Sequence, residues 1–144
     1  MKNPQKLKGI NSKKTVNAVS SFLFTCLSGS KNGSFAVVEH GESDSHYCQF
    51  LVEGDGDGHP NGQLQIQVVG IENSGAKKLV DIKRFNALLK AGWSLDGYGN
   101  AECSVELFQS QQEDVSKIVE NTMERLALVY QLNLDADWNV TLER

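Results

Sequence analysis

Three apolar runs between residues 34 and 71 constrain the fold of this chain more than any other feature of its sequence. The runs cover 34–40, 46–53 and 63–71, and residues typical of turns separate them. The third run alternates regularly, with apolar residues on one side and three glutamines on the other, as expected of a β-strand with one buried face. Runs of this length joined by turn-forming segments favour antiparallel pairing. The stretch therefore predicts a three-stranded antiparallel meander on which the remaining elements pack.

Helical periodicity flanks this meander on both sides. Apolar residues spaced three and four apart predict a first helix that begins at Ser12 and ends before Gly29, a second over 80–91 and a third that reaches about residue 132. The sequence Ser-Gln-Gln-Glu at 110–113 is a capping box, which predicts the start of the third helix.

Two further segments have the spacing of strands. Residues 102–108 alternate between polar and apolar side chains and predict a fourth strand. In the tail, 134–144, Trp138, Val140 and Leu142 recur at spacing two. This spacing leaves two alternatives for the tail, a short fifth strand or an extension docked on the domain.

The element order α-β-β-β-α-β-α predicts an α+β fold. An antiparallel sheet made of the meander and the fourth strand would carry helices packed mainly on one of its faces. A chain of 144 residues is long enough for one domain with a sizeable core. We expect residues 1–11, which contain three lysines, to be a basic flexible lead, and residues 12–144 to form a single α+β domain.

The sheet face turned away from the helices is the candidate binding surface. Its side chains are apolar or neutral and polar, with Ser104 and Glu106 at one side, whereas a wholly solvated face should be more charged. Extended peptides can lie on such a face or add to an edge strand. The candidate residues for partner or peptide binding are Phe35, Val37, Tyr47, Gln49, Leu51, Gln65 and Gln67.

Charge and cysteine usage narrow the classes of partner and the compartment. The net charge of −4 and the pI near 5.3 argue against nucleic-acid binding, which usually requires a basic face. No apolar run reaches the roughly 18 residues that span a membrane, so we expect no membrane segment. The three cysteines lie in apolar runs without a C-x-x-C pair, which predicts reduced core residues and a cytoplasmic protein.

The lysine-rich start and the apolar run that follows it have two interpretations. Together they have the order of a secretory signal peptide. However, Asn17, Ser20 and Ser21 interrupt the apolar run, and no small-residue cleavage pattern follows it. We therefore expect a mature first helix.

Three patterns suggest metal or thiol chemistry, and each has a simpler explanation. The sequence Asp-Gly-Asp-Gly at 55–58 begins like a calcium loop, but His59 and Ile66 occupy two positions where such a loop needs oxygen ligands. His40 and His46, with Asp44, have ligand types suited to zinc, although polar residues are common at exposed hairpin ends.

Cys48 lies two residues from His46, so a thiol–imidazole pair on one strand face is geometrically possible. No third group that would orient the imidazole stands out, and a buried thiol is the simpler interpretation. We expect no catalytic residue, no metal and no cofactor, and we predict that the protein is not an enzyme.

Three segments resemble a known family. The sequences FAVVE at 35–39 and YCQF at 47–50 are similar to the paired opening strands of YbjN-like and type III secretion chaperone-like (TY-Chap) domains. The sequence LLKAGW at 88–93 is similar to an L-x-x-L-G-W segment of some members. The resemblance covers 12–132. It implies a non-enzymatic chaperone-like module that binds a protein or peptide, often as a homodimer.

Two other classes of function stay open. A small, acidic immunity-type protein that neutralises a toxin would have a similar composition. A basic toxin would require clustered carboxylates, whereas a peptide-binding module would require an apolar face. An enzyme would use His40, His46 or Cys48, and the relative placement of these three residues tests that idea.

Overall fold

A computed structural model of the chain describes residues 4–29, 33–41, 46–70, 81–107 and 110–144. Three helices and seven strands lie in these ranges, and they follow one another along the chain as β1 (Gln5–Ile10), α1 (Ser12–Leu27), β2 (Phe35–His40), β3 (Tyr47–Gly54), β4 (Pro60–Val68), α2 (Ile82–Lys90), β5 (Ser94–Leu95), β6 (Ala101–Glu106), α3 (Gln112–Tyr130) and β7 (Trp138–Glu143).

The seven described strands form one antiparallel sheet in the order β1-β7-β2-β3-β4-β6-β5. Strands β2, β3 and β4 are the predicted meander, and β6 is the predicted fourth strand. The α+β prediction is therefore confirmed. Helices α1 and α3 pack on each other and on this sheet, and α2 packs on α3. No described helix is both long enough and apolar enough to span a bilayer.

The N-terminal segment differs from the expected flexible lead. Residues 5–10 form the edge strand β1, which pairs with β7. Leu7 and Ile10 pack against the core, while Lys6 and Lys8 are exposed. Lysines on an edge strand discourage pairing with other chains, which explains a basic composition in a segment that belongs to the sheet.

The C-terminal tail is a strand inside the sheet. Strand β7 lies between β1 and β2, with Val140 opposite both Leu7 and Val38. Its inward residues Trp138, Val140 and Leu142 are buried. Of the two alternatives for the tail, the additional strand is therefore correct.

The segment between α2 and β6 contains the short strand β5. Its two residues pair with Ala101 and Glu102 of β6. The turn between β5 and β6 is stabilised by Asp96, whose Oδ1 accepts hydrogen bonds from the backbone N–H groups of Tyr98 at 2.7 Å and Asn100 at 3.0 Å. A side chain that accepts two backbone bonds stabilises this five-residue connection.

The helix ends follow the predicted signals with small shifts. Asn11 caps α1, because its Oδ1 accepts the N–H of Lys14 at 2.8 Å. The capping box of α3 begins one residue later than predicted. The N–H of Gln111 donates to Asp114 Oδ2 at 2.8 Å.

Candidate protein-binding face of the sheet

Side-chain alternation divides the central strands into two faces. Inward residues such as Ala36 and Phe50 are completely buried against the helices. The outward residues between them are half-buried. The face away from the helices carries all seven predicted binding residues, Phe35, Val37, Tyr47, Gln49, Leu51, Gln65 and Gln67.

Strand register brings these residues into contact distance. Leu51 lies opposite Phe35 on β2 and opposite Gln65 on β4. In the next row, Gln49 lies between Val37 and Gln67 in the same way. We call these seven residues and their neighbours on this side of the sheet the outer face.

The apolar residues of the outer face are not part of the core. Phe35, Val37 and Leu51 belong neither to the core cluster nor to the half-buried residues that pack against it. Tyr47 does pack against the core, so it differs from the other three. Within the described ranges, α1 and α3 occupy the opposite side of the sheet and α2 packs on α3. These three helices therefore leave the outer face open.

The glutamines of the outer face are fixed by a chain of hydrogen bonds. Gln49 Nε2 donates to Gln67 Oε1 at 2.8 Å, and Gln67 Nε2 donates to Asp96 Oδ2 at 2.5 Å. Asp96 is itself fixed by the backbone N–H groups of Tyr98 and Asn100, which donate to its Oδ1. Side chains that are already ordered lose less conformational entropy when a partner binds. This half of the outer face is therefore preorganised.

Carboxylates lie around the outer face, and of these the sequence pattern predicted Glu106. Glu143 lies opposite Phe35, Glu39 opposite Tyr47, and Glu102 opposite Gln67. Glu106 lies opposite Gln63 and is exposed, whereas Lys6 on β1 places a basic residue on this side. Pairing of strands distant in sequence brings Glu102, Glu106 and Glu143 to this face, and the β2–β3 pairing brings Glu39. The margin is acidic and the centre is apolar and amide-rich.

Tyr47 lies at this acidic margin. Burial raises the pKa of its hydroxyl, and the charges of Asp96 and Glu39 raise it further. The hydroxyl therefore stays protonated at neutral pH and can donate a hydrogen bond to a partner.

The candidate zinc ligands are in the core, contrary to the expected exposed hairpin end. His40 and His46 are almost fully buried and directly opposite each other, joined by a backbone hydrogen bond of 3.0 Å. His40 Nε2 is 2.8 Å from the carbonyl oxygen of Asn133. Asp44, the third candidate ligand, lies outside the described residues. Among those described, no three metal-ligating side chains cluster.

Cys48 is a buried thiol. It lies opposite Val38 on the helix-facing side of the sheet and is fully buried. Burial raises its pKa to about 12, so the thiolate required of a nucleophile does not form near neutral pH. His46 and Cys48 thus share a strand face, as predicted, but in a closed core.

The Asp-Gly-Asp-Gly segment uses its first carboxylate for a local turn. Asp55 Oδ1 accepts the N–H of Asp57 at 2.8 Å and that of His59 at 3.3 Å. The bond from Asp57 is the main cause of the lowered pKa of Asp55. This arrangement explains the acidic, glycine-rich sequence as a turn between β3 and β4.

His46 makes folding sensitive to mild acid. Its ring contacts that of Tyr130, with 4.7 Å between ring centres and 44° between ring planes, and neither of its ring nitrogens has a hydrogen-bond partner in the described part of the chain. Burial lowers its pKa below 6.5, and His40 lowers it further. The unfolded chain therefore takes up a proton near pH 6.5, while the folded chain resists it. Stability is fully present above pH 6.5 and is lost as the pH falls below that value.

Urea unfolding at pH 7.5, 6.5 and 5.5 measures this effect. We expect stability to fall as the pH drops below 6.5, with a His46 contribution of at most about 1.4 kcal/mol per pH unit. The His46→Leu variant should lose this component, and His59→Gln, which changes an exposed histidine, should keep it. An unchanged slope in His46→Leu would show that another group carries the acid sensitivity.

Comparisons with protein-family models, curated proteins and solved structures give no match in any of the three. The resemblance to YbjN-like and type III secretion chaperone-like domains therefore stays a prediction from three short segments.

Proposed function

We propose that this protein is a non-enzymatic, chaperone-like module that binds a protein or peptide on the outer face of its sheet. The strongest support comes from three apolar residues on the paired strands β2 and β3, namely Phe35, Val37 and Leu51. None of the three belongs to the core or packs against it. Apolar groups arranged in this way are typical of interaction sites. The unpaired cysteines Cys26, Cys48 and Cys103 favour a cytoplasmic location.

The proposed partner is apolar and basic. The centre of the outer face offers apolar contacts and oriented amides, and its margin carries Glu39, Glu102, Glu106 and Glu143. Complementary charges across an interface increase both specificity and the rate of association. An extended segment whose apolar residues alternate with lysine or arginine would match both parts.

The acidic margin disfavours a homodimer through the outer face. A homodimer through the outer face, as the family resemblance implies, would bring two acidic margins together. Like charges placed opposite each other across an interface reduce the binding free energy by several kcal/mol. We therefore propose a basic partner in preference to a second copy of this chain.

The same margin supports a second candidate, an immunity-type protein that neutralises a basic toxin. Clustered carboxylates would attract such a toxin at a rate that falls steeply with ionic strength. An interface dominated by the apolar centre would depend less on salt. The salt dependence of association with the partner thus distinguishes the two functions.

Peptide selection on immobilised protein tests the first proposal. We expect a random library to yield peptides in which apolar residues alternate with lysine or arginine. The Leu51→Lys variant should bind them at least about tenfold more weakly, since it removes a central apolar contact and repels a basic ligand. Leu51→Glu removes the same contact without the repulsion, so it should lose less affinity for the selected peptides.

The matched control places the same substitution elsewhere. Leu128 is a half-exposed leucine of α3, and Leu128→Lys should bind the selected peptides like the wild type. Circular dichroism should show that all three variants are folded, because partly exposed positions outside the core rarely affect stability strongly. Equal binding by Leu51→Lys and wild type would contradict the proposed surface.

A further inference from the structure

A second surface lies on the helix side of the protein, between α2 and α3. The two helices leave a groove of about 220 Å³. The buried residues Leu88 and Val129 line it together with the exposed Ala87, and Leu128 exposes half of its surface. Helices packed in a core normally bury such residues against each other. The groove is therefore an apolar surface outside the sheet.

The groove is basic in a chain whose net charge is −4. Arg84 and Arg125 line it, and none of the lining residues in the described ranges is acidic. Helix α2 adds Lys83 and Lys90 and contains no aspartate or glutamate between Ile82 and Lys90. The charge of this surface is thus opposite to that of the margin of the outer face.

Both arginines are held in place by neighbouring side chains. Arg84 Nε is 3.1 Å from Oδ2 of Asp81, the residue that caps α2. The guanidinium of Arg125 lies over the ring of Trp93 at 5.9 Å. Positioned guanidinium groups bind carboxylates well, because their planar donors match both carboxylate oxygens.

We propose that this groove binds an acidic amphipathic helix of a partner protein. At about 220 Å³ it is smaller than a typical pocket for a small molecule, but it accommodates one or two aliphatic side chains. Amphipathic helices bind grooves of this kind through apolar residues spaced three and four apart. Glutamates or aspartates beside those residues would meet Arg84 and Arg125. This inference is independent of the function proposed for the outer face.

Two designed peptides test the proposal on the whole protein. Both are about 18 residues long, sufficient for partial helicity, with leucine and alanine on one face. The remaining positions are glutamate in one peptide and lysine in the other. By fluorescence anisotropy on the Leu51→Lys protein, whose outer face repels a basic ligand, we expect the glutamate peptide to bind and the lysine peptide to bind at least about tenfold more weakly.

Variants then localise the binding. Arg84→Gln and Leu128→Ser change exposed side chains. Each should weaken binding of the glutamate peptide several-fold and leave the circular dichroism spectrum unchanged. The control Lys117→Glu reverses an exposed charge of α3 that pairs with Glu113 outside the groove, and it should have no effect. Leu51→Lys, on the outer face, should also have none.

Three results would overturn the inference. Absence of binding by the glutamate peptide is the first, and equal affinity of the Leu51→Lys protein for both peptides is the second. The third is a wild-type dimer, seen by sedimentation velocity, that Arg84→Gln dissociates, since the groove would then hold a second copy of the chain.

Discussion

The Trp138→Ala variant should lose about 3–5 kcal/mol of its free energy of unfolding, the range for deleting a large buried aromatic side chain. Trp138 is completely buried where β7 enters the sheet. Its ring meets that of His40 edge-on at 5.0 Å, and its Nε1 donates to the carbonyl oxygen of Leu134 at 3.1 Å. Because β7 pairs with both β1 and β2, loss of this side chain should weaken both strand pairings.

The second tryptophan is the matched control. Trp93 is half-buried and contacts Arg125, so Trp93→Ala should cost much less, about 1 kcal/mol. Urea unfolding followed by circular dichroism measures both. Similar small losses in the two variants would contradict the placement of β7 inside the sheet.

The Gly70→Ala variant should be destabilised by about 1–3 kcal/mol, as expected when atoms are forced into a filled site. A Cβ at Gly70 would press on the carbonyl oxygen of Gly99 and lie 2.7 Å from its carbonyl carbon. The N–H of Gly70 also donates to Asn100 Oδ1 at 2.7 Å in a buried bond. The turn that carries Asp96 would have to move.

Gly97→Ala in the same turn is the control, because a Cβ at Gly97 meets no atom within 4 Å. We expect it to unfold like the wild type. Since Asp96 accepts the bond from Gln67, Gly70→Ala should also weaken peptide binding to the outer face, and Gly97→Ala should not. If both alanine variants behave alike, the turn does not fix the glutamine chain.

Local patterns in the sequence predicted the elements whose side chains alternate clearly. The meander, the three helices and the sharing of one face by Phe35 and Leu51 follow from spacing two or spacing three and four. Strand β1 was missed because its lysines, which are favourable on an edge strand, resemble a solvated tail. The buried histidines were missed because polar residues next to a turn are usually exposed.

Pairings between distant segments were beyond any local pattern. The position of β7 between β1 and β2 joins residues about a hundred or more positions apart. The acidic margin depends on the same register, since Glu143 meets Phe35 only across this pairing. The groove depends on the packing of α2 on α3, which the separate helical patterns do not determine.

The measurement that tests the central claim most directly is carbene footprinting of the protein, free and bound to a selected peptide. The free protein should be labelled at Phe35, Val37 and Leu51. The peptide should protect these residues and leave the labelling of Leu128 unchanged. Absence of labelling at the three residues in the free protein, or protection confined to the helix side, would contradict an open outer face that binds a partner.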